Sequence, residues 1–383
     1  MATRSERSTT RVELALLALL QAPRGCASTA SVPLCVPPPR VLVFGLGFTG
    51  CAIARELEEK HGCKVVGTRR RGGDGAGAWR GAAVEFAGEG SLSAEACDAL
   101  ARATHVISTI PPTDAGADPV LQLAGGLLRA RIDAGELRWL GYLSSTSVYG
   151  DHQGAWVDEA SATRAPPSSS AHARLAVETE WRSLAHGAGS RGDGRRGAAA
   201  ARVAVFRLAG IYGPGRSALD TAARARAEAG GDVTGTSYAA GDGTPVSRVH
   251  VDDIAGAVGA ALVASVGGTF NVADHRPAPR ADVFAFCEGL LQAAQPAPAS
   301  ASAQRPGTRA PGGAAGAPRA LSERSRRRGS ESKRVCGDKL RREVGYAFVH
   351  PDYMSGLTAI HAAVTVSAAG ADRDLPRPAG PAL

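Results

Sequence analysis

Short runs of consecutive apolar residues alternate with longer amphipathic stretches along the chain from residue 40 onwards. Continuous apolar runs of this length are typical of strands buried on both faces, and the stretches between them have helical spacing. The predicted strands are, in chain order, RVLVF, KVVGT, AAVEF, HVIST, LRWLGYLSS and ARVAVFRLA. Helices are predicted after the first strand, ending at His61–Gly62, and from about Pro119 and about Ser170. This alternation predicts an α/β fold with a doubly wound parallel sheet.

Stretches rich in Pro, Gly and Ser divide the chain into predicted domains. Residues 40–274 are predicted to form the main α/β domain, with a flexible loop at 187–200 and a lobe segment at about 211–246. Residues 275–365 are predicted to form a small C-terminal lobe that binds substrate. Residues 366–383 are predicted to be a disordered tail, because their composition favours no packed element.

The net charge of +8 on the 383 residues comes almost entirely from one segment. Residues 295–335 hold nine Lys and Arg and two acidic residues in a background of Pro, Ala, Ser and Gly. Such a composition buries too little apolar surface to fold, so a disordered basic linker is predicted to interrupt the lobe. Binding of RNA or an acidic partner by SERSRRRGSESKR is the alternative. No nucleic-acid partner is expected, since the rest of the chain is close to neutral.

The first 39 residues are basic and rich in Ser and Thr, with two acidic residues. These features are typical of an organellar transit peptide, and we favour a plastid over a mitochondrion. A secretory signal is disfavoured by Glu13 beside the apolar run VELALLALL, and a disordered cytosolic extension is a further alternative. That run is too short to span a bilayer, and no other stretch is a candidate, so no membrane association is expected.

Seven cysteines are scattered along the chain without a C-x-x-C pair, and no histidine cluster has metal-ligand spacing. An odd number of cysteines in no pattern favours reduced thiols over a disulfide framework or a zinc site. We therefore expect no metal.

The turn after the first predicted strand has the spacing G-x-G-x-x-G, at Gly45, Gly47 and Gly50. Gly45 permits a tight turn, Gly47 lets the backbone approach a diphosphate, and Gly50 lets the following helix pack on the strand. The amides that begin this helix, at Phe48 and Thr49, would stabilise the phosphate charge. In its strand–turn–helix context this spacing predicts a dinucleotide-binding domain of the Rossmann type. A glycine-rich turn without a ligand is the alternative.

The end of the second predicted strand indicates which dinucleotide is bound. KVVGTRRR has no carboxylate to bond a ribose 2′-hydroxyl, and it places Arg69 and Arg70 there instead. A guanidinium pairs with a 2′-phosphate that a carboxylate would repel, so NADP is favoured and NAD is less well supported. A solvated basic loop is the alternative.

Four motifs occur together in a fixed order: GFTG, SSTSVYG, FRLAGIYGPGR and HVDDIAGAV. Between about residues 40 and 365 the chain resembles the extended short-chain dehydrogenase/reductases, the NAD-dependent epimerase/dehydratase superfamily. STIPPTDAGADPVL and KRVCGDKLRREVGY are similar to its atypical, YeeZ-like branch. The resemblance implies an oxidoreductase or epimerase/dehydratase acting on a small carbonyl or hydroxyl compound or a nucleotide sugar. It is also compatible with a homodimer.

The resemblance also assigns roles to individual residues. It implies that Ser145, at the carboxyl end of the fifth strand, bonds the reacting oxygen of the substrate, with Ser144, Thr146 and Ser147 as alternatives. It implies that Arg248 meets a phosphate of substrate or cofactor. The end of the fourth strand is expected to border the cofactor, at Ser108, Thr109 and Ile110.

The Tyr-x-x-x-Lys pair of the family is replaced here. Aligning RLAVE with the family's K-L-x-x-E puts Arg174 at the lysine and Ser170 at the tyrosine. A serine hydroxyl is too weak an acid for the usual proton transfer, and Arg174 keeps the charge without releasing a proton. Either the acid comes from elsewhere or the protein is a non-catalytic NADP(H) sensor or scaffold. Residues that could supply the proton are His172, Tyr142, Tyr149 and Tyr212.

Overall fold

The computed structural model of the chain describes five stretches: residues 37–70, 79–187, 201–228, 243–293 and 332–371. The described residues from Pro38 onwards belong to one compact unit. Most of the predicted targeting segment at 1–39, of the predicted flexible loop at 187–200 and of the predicted basic linker at 295–335 lies outside the described residues.

The elements follow the predicted alternation of strands and helices. The described strands are β1 (Arg40–Phe44), β2 (Lys64–Arg69), β3 (Ala82–Glu85), β4 (His105–Ser108), β5 (Trp139–Ser145), β6 (Trp156–Val157), β7 (Arg202–Leu208), β8 (Gly210–Tyr212), β9 (Pro245–Val246), β10 (Arg248–His250), β11 (Gly268–Val272), β12 (Ala278–Pro279) and β13 (Arg334–Val335). The described helices are α1 (Phe48–Glu59), α2 (Ala94–Arg102), α3 (Pro119–Asp133), α4 (Ser170–Ser183), α5 (Ala218–Glu228), α6 (Val251–Val263), α7 (Arg280–Ala293), α8 (Asp338–Val344) and α9 (Tyr353–Ala371).

The main sheet has seven strands in the order β11-β7-β5-β4-β1-β2-β3, and every neighbouring pair is parallel. The chain runs from β1 outwards to β3 and then returns to the other side of β1 with β4. This reversal makes the sheet doubly wound and opens a crevice beyond the carboxyl ends of β1 and β4, where such folds bind ligands. The predicted fold class is confirmed.

The sheet is buried on both faces, as the unbroken apolar strands predicted. Within β1, Val41 and Val43 belong to the apolar cluster on one face, and Leu42 and Phe44 belong to the cluster on the other. The helices that were not predicted include α2, α5 and α6. Helix α2 is short and is capped by Ser93, whose hydroxyl accepts a hydrogen bond from the amide of Ala96. Helix α6 carries the motif HVDDIAGAV and is buried over most of its surface, so it lacks an amphipathic pattern.

A third apolar cluster lies in segments from β8 to α5, in α7 and in the first part of α9. The described elements cross three of the predicted boundaries. Residues 332–335, the end of the predicted linker, include β13, which pairs with β6. Val335 and Leu340 belong to the core of the main sheet and not to the third cluster. Helix α9 continues to Ala371, into the predicted tail. None of the described helices has the length and apolar character needed to cross a membrane.

Candidate functional site

The turn between β1 and α1 is held by side chains from the neighbouring strands. The amide of Gly45 donates to the hydroxyl of Thr68 at 3.0 Å. The hydroxyl of Thr109 donates to the carbonyl of Gly45 at 2.7 Å. Gly45 has φ +94°, and a Cβ atom there would lie 2.6 Å from Thr109 Oγ1. A Cβ atom on Gly50 would lie 2.0 Å from the carbonyl oxygen of Gly45. These two glycines are therefore required by packing within the protein.

Gly47 differs from the other two glycines of the turn. It is exposed, and a Cβ atom built on it would meet no atom within 4 Å. It is the N-cap residue of α1 and no side chain caps this helix. The first amides of a helix, here at Phe48, Thr49 and Gly50, have no intrahelical acceptor. This open space in front of unpaired amides fits the diphosphate of a dinucleotide. A nicotinamide cofactor bound there would supply hydride chemistry at the crevice.

The end of β4 borders the same turn. The amide of Thr109 donates to the carbonyl of Phe44 at 2.9 Å. A Cβ atom on Gly45 would also lie 2.9 Å from Cγ1 of Ile110, so both side chains wall the turn. Ser108 is fully buried, and its hydroxyl has no hydrogen-bond partner among the described residues. Of the three residues predicted here, Thr109 and Ile110 are thus brought to the turn, whereas Ser108 is buried at the end of β4.

Two exposed arginines, Arg69 and Arg70, stand at the end of β2. Burial raises the pKa of the Cys51 thiol in α1, and the nearby guanidinium groups of Arg69 and Arg55 partly oppose this rise. Arg69 therefore lies close to Cys51 in the first turn of α1. Positive charge at this place is compatible with a phosphate on the cofactor's ribose.

A residue that the sequence analysis did not single out also reaches the turn. The guanidinium of Arg216 lies 5.4 Å from the ring centroid of Phe48. A tight turn holds Arg216, with backbone hydrogen bonds in both directions between Gly213 and Arg216. A Cβ atom on Gly213 would lie 3.0 Å from the Phe48 ring. The segment IYGPGR therefore packs directly against the glycine-rich turn. The two segments are far apart in sequence, so no local pattern indicates this contact.

Ser145 stands at the carboxyl end of β5, where we predicted the substrate-binding hydroxyl. It is partly exposed, and its hydroxyl accepts a hydrogen bond from the amide of Ser147 at 3.2 Å. Ser144 is buried and donates to Glu178 at 2.6 Å, and Thr146 is also buried. Ser145 and Ser147 are therefore the hydroxyl groups of this strand end that a ligand can reach.

The residues at the family's tyrosine and lysine positions lie at the start of α4. Ser170 is its first residue and is exposed, and within the described part of the chain its hydroxyl has no hydrogen-bond partner. Ser169 caps the helix by accepting from the amide of His172. Arg174 is half-buried, and its guanidinium lies near enough to the Tyr142 hydroxyl to stabilise a phenolate there. No hydrogen bond joins Ser170 to Ser145 among the described residues.

The three tyrosines that could replace the missing acid are all buried. Burial raises the pKa of Tyr142, and Arg174 only partly offsets this effect. Burial likewise raises the pKa of Tyr149 and of Tyr212. Tyr149 donates to Asn271 at 2.8 Å and accepts from Arg207, as a structural residue does. None of these phenols is poised to exchange a proton near neutral pH.

A buried ion pair behind α4 was not predicted. The guanidinium of Arg207 in β7 binds the carboxylate of Glu178 through two hydrogen bonds, of 3.1 and 2.8 Å. Glu178 is fully buried, and it also accepts from Ser144 in β5. The pair fixes the helix that carries Arg174 on the two strands below it. The Glu of RLAVE, taken with the Arg of FRLAG, is the sequence signal that could have indicated it.

Arg248, which we predicted to meet a phosphate, is bonded to the protein itself. One guanidinium nitrogen donates to the carbonyls of Val246 and Ala278, at 2.7 and 2.8 Å. Nearby, burial raises the pKa of Asp274 to about 7. One oxygen of that carboxyl group accepts from the amide of Arg276, and the other has no partner among the described residues.

Comparison with known proteins agrees with this geometry. A family model, the NAD dependent epimerase/dehydratase family, matches residues 41–273, which is more than half of the chain. No curated protein sequence is similar enough to count as a match.

Three similar solved structures cover most of the chain. A functionally unknown conserved protein from Silicibacter pomeroyi is 29% identical, with a TM-score of 0.62, over 85% of this chain and 98% of that one. The human epimerase family protein SDR39U1 with NADPH is 17% identical, with a TM-score of 0.52, over 84% and 99%. UDP-glucuronic acid 4-epimerase from Bacillus cereus with NAD is 16% identical, with a TM-score of 0.56, over 86% and 98%.

The two structures of lower identity show the fold alone, whereas the family model covers the glycine-rich turn and the end of β5. The chain therefore belongs to the NAD-dependent epimerase/dehydratase family.

Proposed function

We propose that the chain binds NADP(H) at the turn between β1 and α1. The observation that carries this proposal is the open space at Gly47, because packing within the protein does not require a glycine there. The unpaired amides at the start of α1 can donate hydrogen bonds to a diphosphate, and the side chains of Thr109 and Ile110 border the same turn. Thr49 and Phe48 would hold the diphosphate through their backbone amides.

The preference for NADP over NAD rests on Arg69 and Arg70. Both are exposed at the end of β2, and Arg69 lies beside α1. The similar structures were solved with either cofactor, NADPH in the human protein and NAD in the Bacillus cereus epimerase. The arginines of this chain are therefore what favours the phosphorylated form.

We propose further that the protein is an enzyme of the oxidoreductase or epimerase/dehydratase type with an atypical active site. Its substrate would be a small carbonyl or hydroxyl compound or a nucleotide sugar, the class to which the UDP-glucuronic acid of the Bacillus cereus epimerase belongs. Ser145 would bond the reacting oxygen, and Arg174 would supply positive charge beside it. Because Ser170 is a poor acid and the three tyrosines are buried, proton transfer would have to use His172, solvent or the substrate itself.

A second function, a non-catalytic NADP(H) sensor or scaffold, has its own support. The candidate tyrosines are buried and their pKa values are raised, so the usual proton donor has no substitute among them. Cofactor binding is common to both functions, and only turnover separates them. A homodimer and a plastid location remain proposals, supported by the family resemblance and by the composition of the first 39 residues.

Nucleotide titration of the full chain tests the cofactor site. We expect NADPH to bind at least about tenfold more tightly than NADH, since charge-assisted hydrogen bonds contribute roughly 1.5–3 kcal/mol. In the double variant Arg69→Gln/Arg70→Gln, NADPH affinity should fall to that of NADH, while NADH affinity stays unchanged. Arg102→Gln, an exposed arginine on α2, is the matched control. Equal affinities for both nucleotides in the native protein would contradict the NADP assignment.

Turnover of the NADPH complex separates the two functions. A screen of carbonyl compounds and nucleotide sugars, followed at the nicotinamide absorbance, should give a substrate whose kcat falls about 100-fold or more in Ser145→Ala. NADPH affinity should be unchanged in that variant. Tight nucleotide binding without turnover would favour the sensor, and an unchanged kcat in Ser145→Ala would refute the assigned site.

A further inference from the structure

Two histidines and an aspartate that are far apart in sequence meet at the start of α6. His250 ends β10 and caps α6, Asp252 lies in the first turn of that helix, and His350 lies in the loop before α9. The ring centroids of the two histidines are 4.1 Å apart. Neither histidine takes part in the nucleotide site proposed above.

The distances among these side chains suit a metal ion better than direct hydrogen bonds. His250 Nδ1 lies 3.6 Å from Asp252 Oδ2, and His350 Nε2 lies 3.9 Å from the same oxygen. One ligand atom from each of the three residues lies within 4.8 Å of the other two. Tetrahedral zinc bonds of about 2.0–2.2 Å place neighbouring ligand atoms roughly 3.3–3.6 Å apart. Small side-chain rotations would shorten the observed separations between ligand atoms to this range.

The chemistry of the three groups is also that of metal ligands. The carboxylate of Asp252 is largely exposed, so the open coordination positions would face solvent. His250 Nδ1 accepts a hydrogen bond from the amide of Asp252 at 3.2 Å, which requires that this nitrogen carry no proton. A metal ion would exchange that long hydrogen bond for a coordinate bond. Imidazole nitrogen with one carboxylate suits Zn²⁺ and similar ions, and not Mg²⁺ or Ca²⁺.

The backbones that carry the ligands are fixed in advance. Asp253 is fully buried and accepts hydrogen bonds from the amides of Val349 and His350, at 2.6 and 3.0 Å. It also accepts from the hydroxyl of Tyr346. The ring of Tyr212 meets His250 edge-on, with centroids 5.2 Å apart. The loop before α9 is thereby tied to the first turn of α6, which keeps His350 opposite His250.

We propose that His250, Asp252 and His350 bind a divalent transition-metal ion of the zinc class. The ion would brace the loop before α9 against the start of α6 and so stabilise the fold. The spacing of these residues along the chain could not indicate the site, because both α7 and α8 lie between Asp252 and His350. The expectation of no metal rested on local spacing and on the unpatterned cysteines.

The test uses the untagged full chain and ZnCl₂, with binding measured by calorimetry and thermal stability by scanning fluorimetry. We expect one equivalent of Zn²⁺ to bind and to raise the Tm, because a ligand that binds only the folded state stabilises it. MgCl₂ at the same concentration should leave the Tm unchanged. The readout does not depend on nucleotide binding or turnover, so it stands apart from the proposed function.

Three variants decide whether the named residues form the site. Asp252→Asn keeps the shape of an exposed side chain, and we expect it to weaken Zn²⁺ binding at least about tenfold, as should His350→Ala. His361→Ala, a histidine of α9 outside the cluster, should bind as the native protein does. Tm values without metal report whether each variant is folded. Equal Zn²⁺ affinity in native protein and Asp252→Asn, or no binding by the native protein, would overturn the proposal.

Discussion

The three glycines of the nucleotide turn have three different physical reasons to be glycine. At Gly45 the backbone has a positive φ and a side chain would strike Thr109. At Gly50 a side chain would strike the carbonyl of Gly45. At Gly47 nothing in the protein stands in the way. A substitution at Gly45 or Gly50 would therefore affect folding, whereas a substitution at Gly47 would affect only what the turn can bind.

This difference gives a matched pair of substitutions. Gly47→Ala should leave the free energy of unfolding within about 1 kcal/mol of the native value. It should lower NADPH affinity at least about tenfold, because the methyl group occupies space that the diphosphate needs. Gly50→Ala should destabilise the fold by about 1–3 kcal/mol through overpacking. Urea denaturation and fluorescence titration measure the two quantities, and native affinity in Gly47→Ala would exclude a diphosphate at this turn.

Individual residues were predicted best where local pattern alone determines their place. The glycine spacing and the strand before it were enough to indicate the turn, because both lie within a short segment. The surroundings of Arg174 were not predictable in this way. Its neighbour Tyr142 comes from β5. Only the packing of α4 on the sheet shows that burial raises the pKa of the Tyr142 hydroxyl more than Arg174 lowers it.

At the scale of elements, α4 is fixed to the sheet by charge as well as by apolar packing. Glu178 lies inside the helix and binds Arg207 of β7 and Ser144 of β5. Arg207 in turn donates to Tyr149, which donates to Asn271 of β11. The network therefore connects three strands to the helix that carries Arg174.

Removing one partner of this buried pair should be costly. Glu178→Gln leaves the guanidinium of Arg207 buried without an opposite charge, so we expect a loss of about 3–5 kcal/mol in the free energy of unfolding. Asp98→Asn, which breaks the exposed ion pair with Arg102 on α2, should change it by no more than about 1 kcal/mol. Chemical denaturation of both variants compares them. Equal effects would mean that the buried network contributes no more than a surface pair.

The strands and the first helix follow from hydrophobic pattern, but the contacts between distant elements do not. Helix α6 escaped prediction because it is apolar nearly all round, which removes the amphipathic signal. The Glu178–Arg207 pair, the meeting of Arg216 with Phe48 and the grouping of His250 with His350 each join separate segments. Motifs can mark single members of such pairs, as RLAVE and FRLAG do, but one chain does not show which residues meet, since each residue type is also ordinary in an exposed position.

At the scale of the whole molecule, two buried titratable groups give stability opposite dependences on pH. Burial raises the pKa of Asp274 to about 7, so its contribution is fully present below the ordinary aspartate range and is lost as the pH rises through 7. Burial lowers the pKa of His105 to about 4, with a smaller effect of Arg138. Its contribution is present above the ordinary histidine range and is lost as the pH falls through 4.

Asp274→Asn should isolate the first of these effects. At pH 8 the native carboxylate is ionised and buried, so the variant should be more stable by about 1 kcal/mol or more, one pKa unit being worth about 1.4 kcal/mol. At pH 5 the native carboxyl is protonated but the unfolded one is already largely ionised, so only part of the loss has occurred and the variant's stability advantage should be clearly smaller than at pH 8. Thermal denaturation at both pH values measures the difference. A Tm difference that is the same at pH 5 and pH 8 would contradict the raised pKa of Asp274.

The third apolar cluster and the main core share one continuous stretch of chain near the C-terminus. Helix α7 lies in the third cluster, Val335 and Leu340 return to the core of the sheet, and α9 goes back to the third cluster. The lobe therefore has no single point at which it could be cut away. An exchange of lobes between relatives would have to move three separate pieces, β8 to α5, α7 and the first part of α9, and leave the stretch around β13 behind. A simple chimera joined after α6 would therefore separate α5 from its packing partners in α7 and α9 and would replace core residues of the main sheet.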